Sequence, residues 1–262
     1  MGQHDHSLVE RLNLECDAVV VNQCDMDSIE HLVCGTHAVT WINSTGRGLS
    51  RSRNLALEHA TADICILADD DEILQSGYVG IVSEAFSRHP DAGIIGFQAE
   101  GIEAGFKTYT GSERKVGYLQ SMRMASVEIA FRRRALLDNG LRFNELLGSG
   151  ARYKMGEENT LLFNSLSQGI KIYYVPRLIC RIHIGDSTWF TGFDEEYFHS
   201  RGAVFTAMSR RWSRLLILQF AIRKYPRYRS STSFWKAYRT MLRGCKEYID
   251  ILADDQCNNT YV

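Results

Sequence analysis

Compact runs of β-branched and apolar residues alternate with stretches of helical spacing over the first hundred positions of the chain. Residues 17–23 (DAVVVNQ) and 37–42 (HAVTWI) are each a short apolar run followed by polar or glycine-rich sequence, the signature of buried parallel strands. Residues 50–60 (SRSRNLALEHA) predict a helix with Ser50 as its N-cap. Residues 63–68 (DICILA) predict a third strand, which stops at four consecutive acids, Asp69, Asp70, Asp71 and Glu72. Residues 78–88 (YVGIVSEAFSR) have helical spacing as far as His89 and Pro90, and 92–98 (AGIIGFQ) return to a strand pattern. This alternation predicts an α/β fold built on a mostly parallel, doubly wound sheet flanked by helices.

Beyond residue 100 the pattern is less regular, with strands expected at 128–132 and 171–175 and a helix at 157–168. A basic helix is expected over 195–223, carrying Val204, Met208, Trp212, Leu215, Leu216 and Ile222 on a broad apolar face until Tyr225 and Pro226 break it. A last helix is expected over 234–252. The chain thus divides into an α/β domain at 1–194, with halves at about 1–100 and 101–194, and a basic helical C-terminal extension at 195–262.

Composition narrows the class. With 262 residues and 45% apolar content the chain can fill a sizeable core, which excludes disorder as its global state. The seven cysteines, Cys16, Cys24, Cys34, Cys65, Cys180, Cys245 and Cys257, are odd in number and never spaced as Cys-x-x-Cys. They read as reduced thiols, so a cytoplasmic location is expected. Residues 1–15 mix charges with isolated apolar positions and offer no signal-peptide core, and no apolar stretch approaches the roughly 20 residues that span a bilayer.

The net charge of −1 conceals an asymmetry, because residues 197–246 hold 12 of the 30 Lys and Arg and none of the Asp and Glu. This polarity predicts an anionic neighbour for the C-terminal part, either a membrane surface or a phosphorylated or nucleic-acid partner, and the expected contacts through 201–246 are a peripheral one with the inner face of the cell membrane or a homo-oligomer. Nucleic acid is not an expected partner, since the basic segment carries no recognised motif and adjoins an acidic domain.

The residues best suited to chemistry follow from charge. Four acids at the end of an apolar strand repel one another unless solvent or a cation compensates them. Mg²⁺ is commonly held by one or two carboxylates plus substrate phosphates, so Asp69 to Glu72 suit a metal and diphosphate site, the competing reading being a solvated acidic turn. Arg53, near the start of a helix, adds fixed positive charge to N–H groups that favour phosphate, and it is equally placed to pair with the acids. Glu157 and Glu158 follow Gly156 at a helix start, where negative charge is favourable on its own account. His183, in residues 181–189 (RIHIGDSTW), is either an ordinary loop residue or a metal or phosphate ligand.

Residues 46–54 (GRGLSRSRN) and 60–72 (ATADICILADDDE), taken together, resemble glycosyltransferase family 2, in which a Gly-x-Ser-x-Ala-Arg-Asn segment opens a helix and an Asp-x-Asp element ends the next strand. Ser52 stands where the family usually has Ala. The resemblance implies a GT-A, Rossmann-like fold and transfer of a sugar from a nucleotide-sugar donor to a saccharide or lipid-linked acceptor, as in bacterial polysaccharide biosynthesis. It implies that Asp69 and Asp71 form the Asp-x-Asp pair, with Asp71 the direct ligand of a divalent metal, Mn²⁺ or Mg²⁺, and His183 completing the site. Arg53, Asp69 and Asp70 would then bind the donor. Asn22 and Gln23 fall where relatives carry an acidic residue that reads the nucleobase, and an amide there suits a uracil edge, hence a UDP-linked donor. Gly156-Glu157-Glu158-Asn159 resembles the family's Gly-Glu-Asp element, so Glu158 inherits the role of general base, with Glu157 as the alternative.

The implied mechanism is inverting. Its rivals are a catalytically impaired nucleotide-sugar-binding module and a nucleotide-sugar hydrolase. One departure stands out: relatives open with an additional apolar strand, whereas only residues 1–7 (MGQHDHS) precede Leu8 here. Either the sequence begins late or the sheet lacks that strand.

Overall fold

The structure is a computed structural model that describes residues 2–184 and 192–258. The Ser187-Thr188-Trp189 stretch after His183 lies outside the described residues. In chain order the first elements are α1 (Leu8–Arg11), β1 (Ala18–Gln23), β2 (Ser28–Cys34), β3 (His37–Ser44), α2 (Leu49–His59) and β4 (Ile64–Ile66). There follow β5 (Glu72–Leu74), α3 (Tyr78–Arg88), β6 (Ala92–Gly101), β7 (Arg114–Val116), α4 (Tyr118–Ser121), β8 (Ile129–Arg132) and α5 (Arg133–Leu137). The last are α6 (Glu157–Ser167), β9 (Lys171–Ile182), α7 (Glu195–Met208), α8 (Ser213–Tyr228) and α9 (Phe234–Asn258).

The α/β class holds, with the strands in two sheets of order β1-β3-β2 and β4-β8-β6-β9-β5, and with β7 joined to β9. The expectation of mostly parallel pairing is corrected: β1 with β3 and β6 with β9 run parallel, and the other pairs run antiparallel. The reason is connectivity. A parallel neighbour needs a helical crossover, and after β6 the chain reaches β8 through irregular segments and short turns instead, which favours antiparallel insertion.

Alternation along β6 explains the layering. Ile95 and Phe97 point into a cluster with Tyr78, Val82 and Phe86 of α3, while Ile94 points the other way, toward Ile129, Phe131, Leu161 and Leu162. A strand covered on both faces reads as one continuous apolar run, which is why β6 was legible. A third cluster joins α7, α8 and α9 to Leu147 and Tyr153, so the C-terminal helices share a core with the segment that precedes α6.

Five features differ from expectation. β2 is not expected from the sequence, because it is an edge strand whose exposed face carries Ile29 and Val33 with His31, so apolar and polar positions do not alternate. β9 continues through Pro176 to Ile182, since the register against β6 is irregular between Gly96 and Gln98, and a bulge accommodates a residue with no N–H. The cap of α2 is Gly48, at φ 109°, rather than Ser50. The single helix expected over 195–223 is α7 and α8, separated at Ser209, whose backbone is extended at φ −161° and ψ 109°. Pro226 does not end α8, because it lies in the last turn, where one backbone bond is forfeited.

Candidate active site

Helix α2 is fixed before it offers anything to a ligand. Ser50 Oγ donates to the Leu147 carbonyl at 2.6 Å, and Asn54 exchanges two 2.9 Å hydrogen bonds with the backbone of Phe143. Gly48 must swing to positive φ to let the chain turn into the helix beside Gly150, a conformation that favours glycine. The spacing of Ser50, Arg53 and Asn54 is therefore structural as well as chemical: two residues rivet the helix to 143–147, and the third points inward.

That third residue, Arg53, is buried and joins two distant segments. Its Nη2 donates to Asp69 Oδ1 at 2.7 Å and its Nη1 to Glu157 Oε1 at 3.1 Å. Burial opposes the guanidinium charge, but the Asp69 and Glu157 carboxylates outweigh it and hold Arg53 above its ordinary range. Asp69 also accepts from Ser126 Oγ at 3.1 Å through its other oxygen, and its backbone N–H donates to Glu72 Oε1 at 3.0 Å. Glu72 is buried, and burial first and Asp69 second push its carboxyl well above the usual range. Asp71 is exposed at the strand end. Lost hydration and then the Asp69 charge raise its proton affinity.

The start of α6 supplies the other half. Gly156 adopts φ 81° and turns the chain into the helix, Glu157 is buried against Arg53, and Glu158 follows it. Lost hydration and the adjacent Glu157 push the Glu158 carboxyl up to about 8. Asn159 Nδ2 donates to the Met124 carbonyl at 3.0 Å, which ties this helix to the same 124–128 segment whose Ser126 holds Asp69. On the far side of that segment Glu128 is buried, ion-paired with Lys107 and hydrogen-bonded by Tyr109 Oη at 2.5 Å. Burial raises Glu128 against the pull of Lys107, and it lowers Lys107 against the pull of Glu128.

The sequence-predicted residues are thus partly gathered. Arg53, Asp69 and Glu157 form one connected group, and Glu158 adjoins it. His183 is brought to Asp71 by the pairing of β5 with β9, its backbone N–H donating to the Asp71 carbonyl at 3.1 Å, while its Nδ1 lies 2.5 Å from Glu103 Oε1. Asn22 and Gln23 are engaged inside the protein. The Asn22 amide pairs with the backbone N–H and C=O of Gln3 and with Asn43, and Gln23 accepts from Gly48 N and donates to Ser52 Oγ. Asp70 accepts from Gln3 Nε2 at 3.3 Å.

Sequence reasoning missed Ser126, Glu128, Lys107, Tyr109 and Glu103. The one available signal was Lys107, a lone cation set between Phe106 and Tyr109.

Among the described residues no three His, Cys, Asp or Glu side chains form a ready cation cage. The oxygen donors at Asp69 and Asp71 nevertheless fit a hard divalent cation of the kind that takes one or two carboxylates and completes its shell with water and substrate phosphate. The raised proton affinity of Asp71, from lost hydration and then from Asp69, is one that a bound cation would offset. A cleft of about 570 Å³ lined by Asp27, Asn43, Arg51 and Glu145 contains none of these groups.

The family profile described as Glycosyl transferase family 2 matches residues 6–145, a span that contains Arg53 and the four acids and ends before Glu157. No curated protein matches the sequence significantly. Among solved structures, S. aureus TarS 1-349 in complex with UDP aligns with a TM-score of 0.60 at 12% identity, over 90% of this chain and 73% of that one. The same TarS fragment in complex with UDP-GlcNAc aligns with a TM-score of 0.58 at 13% identity, over 89% and 71%. Likeness at this identity speaks to architecture, and the architecture is GT-A.

Proposed function

The chain belongs to glycosyltransferase family 2 and is a glycosyltransferase, and we propose that it moves a sugar from a UDP-linked donor onto a saccharide or lipid-linked saccharide, with inversion at the anomeric carbon. The observation that carries this reading is the Arg53 bridge: one buried guanidinium joins Asp69, on the acidic element, to Glu157, on the helix that presents Glu158. A donor diphosphate near Asp69 and Asp71 and an acceptor near Glu158 would then meet across a fixed distance.

In the proposed step, Glu158 takes the proton of the acceptor hydroxyl as that oxygen attacks the anomeric carbon, and the nucleoside diphosphate leaves from the opposite face. One displacement inverts the centre, so no glycosyl-enzyme forms. Arg53 contributes fixed positive charge beside the leaving diphosphate, and it keeps Asp69 and Glu157 from repelling each other. A bound Mn²⁺ or Mg²⁺, with Asp71 and Asp69 as its carboxylates and His183 at its margin, would neutralise the charge that grows on the diphosphate. Residues 1–194 serve as the catalytic domain in this reading, and 195–262 as an extension.

The UDP and UDP-GlcNAc complexes of TarS make UDP-sugars the first donors to test. The experiment measures release of free nucleoside diphosphate from a panel of nucleotide sugars with Mn²⁺, with and without saccharide acceptors, and reads the product anomer by NMR. Acceptor-dependent release with an inverted product supports the proposal. Acceptor-independent release identifies a hydrolase instead, and donor binding with no release identifies a binding module.

A further inference from the structure

Helix α8 has two apolar faces, and the fold uses one of them. Ile217, Phe220, Ala221 and Tyr228 are buried against α7 and α9. Leu215, Leu218, Ile222 and Tyr225 recur three, seven and ten positions after Leu215, so they line a second stripe, and all four are exposed, Leu215 to 57% and Ile222 to 60%. The stripe has an exposed indole near each end. Trp212 is the N-cap residue, and Trp235 touches Phe234, which in turn touches Tyr225. Such a patch on a soluble surface marks a place where something binds.

What covers it follows from charge. The stripe is set among Arg210, Arg211, Arg214, Arg223, Arg227 and Arg229, all exposed. No Asp or Glu occurs anywhere in residues 197–246. A second copy docked on this face by two-fold symmetry would set these arginines against their own counterparts with no acid in the segment to answer them. No described helix is long and apolar enough to cross a bilayer, so the face can lie on a membrane but not enter it as a span. An apolar stripe bordered by arginines, with tryptophan at both ends, has the composition of a helix seated at the headgroup boundary.

We propose that α8 and the start of α9 dock the protein on an anionic lipid surface, with Leu215, Leu218, Ile222, Trp212 and Trp235 among the acyl chains and the flanking arginines on lipid phosphates. The attachment is independent of whether the transfer chemistry proposed above is correct. It places the protein where a lipid-linked reactant would be presented.

The test is co-sedimentation of the full chain with phosphatidylcholine vesicles, with and without phosphatidylglycerol. Binding is expected only to the phosphatidylglycerol vesicles, weakening as salt is raised. Arg210→Glu with Arg211→Glu and Arg214→Glu should weaken it by about tenfold or more. Leu215→Ser with Ile222→Ser should abolish it while circular dichroism stays unchanged, because both side chains are already exposed. Absence of binding at low salt, or binding that the Leu215→Ser and Ile222→Ser pair leaves intact, overturns the proposal. Sedimentation velocity supplies the remaining arm: a concentration-dependent dimer that the same pair dissolves would identify a second copy as the occupant and also overturns it.

Discussion

Arg53 and Glu157 lie 104 residues apart in sequence and 3.1 Å apart in space. Nothing local brings them together. Helix α2 is pinned to 143–147 by Ser50 and Asn54, α6 is pinned to Met124 by Asn159, and the two helix starts then face each other with Asp69 between. A buried cation between two carboxylates is stable only as a set, since removing one member leaves the others desolvated and uncompensated.

Arg53→Ala is therefore expected to lower unfolding stability by about 3 kcal/mol, toward the low end for a broken buried pair because Asp69 is partly exposed. Arg53→Lys should recover part of that loss but not the activity, as an ammonium reaches one carboxylate where the planar fork reaches two. Urea denaturation and nucleoside diphosphate release measure the two effects separately. An Arg53→Ala protein as stable as the parent would deny the bridge any energetic role.

Asp71 and Asp69 should separate in the opposite sense. Asp71 is raised by lost hydration and then by the Asp69 charge, so Asp71→Ala should leave thermal stability unchanged or slightly higher while abolishing Mn²⁺-dependent donor binding. Asp69→Ala should destabilise, because it strands Arg53 and Ser126. Calorimetric titration of donor with and without Mn²⁺, beside a melting curve, tests both. Full donor affinity in Asp71→Ala at ordinary Mn²⁺ concentration would remove Asp71 as a ligand.

The pairing of Lys107 with Glu128 is the main buried charge pair outside the Arg53 group. Lys107→Met should cost about 3 kcal/mol by leaving Glu128 without its cation. Lys107→Met with Glu128→Gln should cost less than the sum of the single changes, with a coupling on the order of 1–3 kcal/mol. A four-variant denaturation cycle reads this number. Additivity within about 0.5 kcal/mol would mean that the two charges do not support each other.

The legible parts of this molecule were those in which a local pattern and a tertiary need coincide. The apolar runs of β1, β3 and β6 and the amphipathic α3 were read from sequence because burial on one or both faces leaves its period in the residues. The acids at 69–72 stand out because like charges at a strand end are costly without a partner, whereas the motif at 46–54 stands out through its resemblance to the family pattern. What escaped was set by distant pairing. The strand expected at 171–175 continues in the structure, and only its match with β6 carries β9 on to Ile182 and brings His183 beside Asp71. Ser126 precedes and Glu128 opens the strand expected over 128–132, and that pattern does not single them out because their partners, Asp69 and Lys107, come from distant segments. The internal contacts of Asn22 and Gln23, with Gln3, Gly48 and Ser52, likewise leave no trace in the local sequence.

Gly156 is expected to tolerate no side chain. It adopts φ 81°, and a Cβ there would stand 2.6 Å from Val204 Cγ1 of α7. Gly156→Ala should thus destabilise through both backbone strain, about 1–2 kcal/mol, and the clash. Adding Val204→Ala should relieve the clash alone, so the double variant should melt above Gly156→Ala if the contact matters. A double variant less stable than Gly156→Ala would show that the loss of Val204 packing outweighs the relief.

The pH dependence of transfer distinguishes the two glutamates. A general base works ionised, and an ordinary glutamate is already ionised above about pH 5, which predicts a flat rate from there upward. Glu158 is held up to about 8 by lost hydration and by Glu157. If Glu158 is the base, kcat/KM should climb about tenfold per pH unit below that value and level off above it. Glu158→Gln should cut the rate by about 10²–10⁴ and flatten the climb, while the helix persists. Glu157→Gln removes the like charge that raises Glu158, so the climb should shift to lower pH, at some cost in stability from the lost Arg53 contact. A larger rate loss in Glu157→Gln, with the climb abolished there and retained in Glu158→Gln, would make Glu157 the base and leave Glu158 as the residue that tunes it.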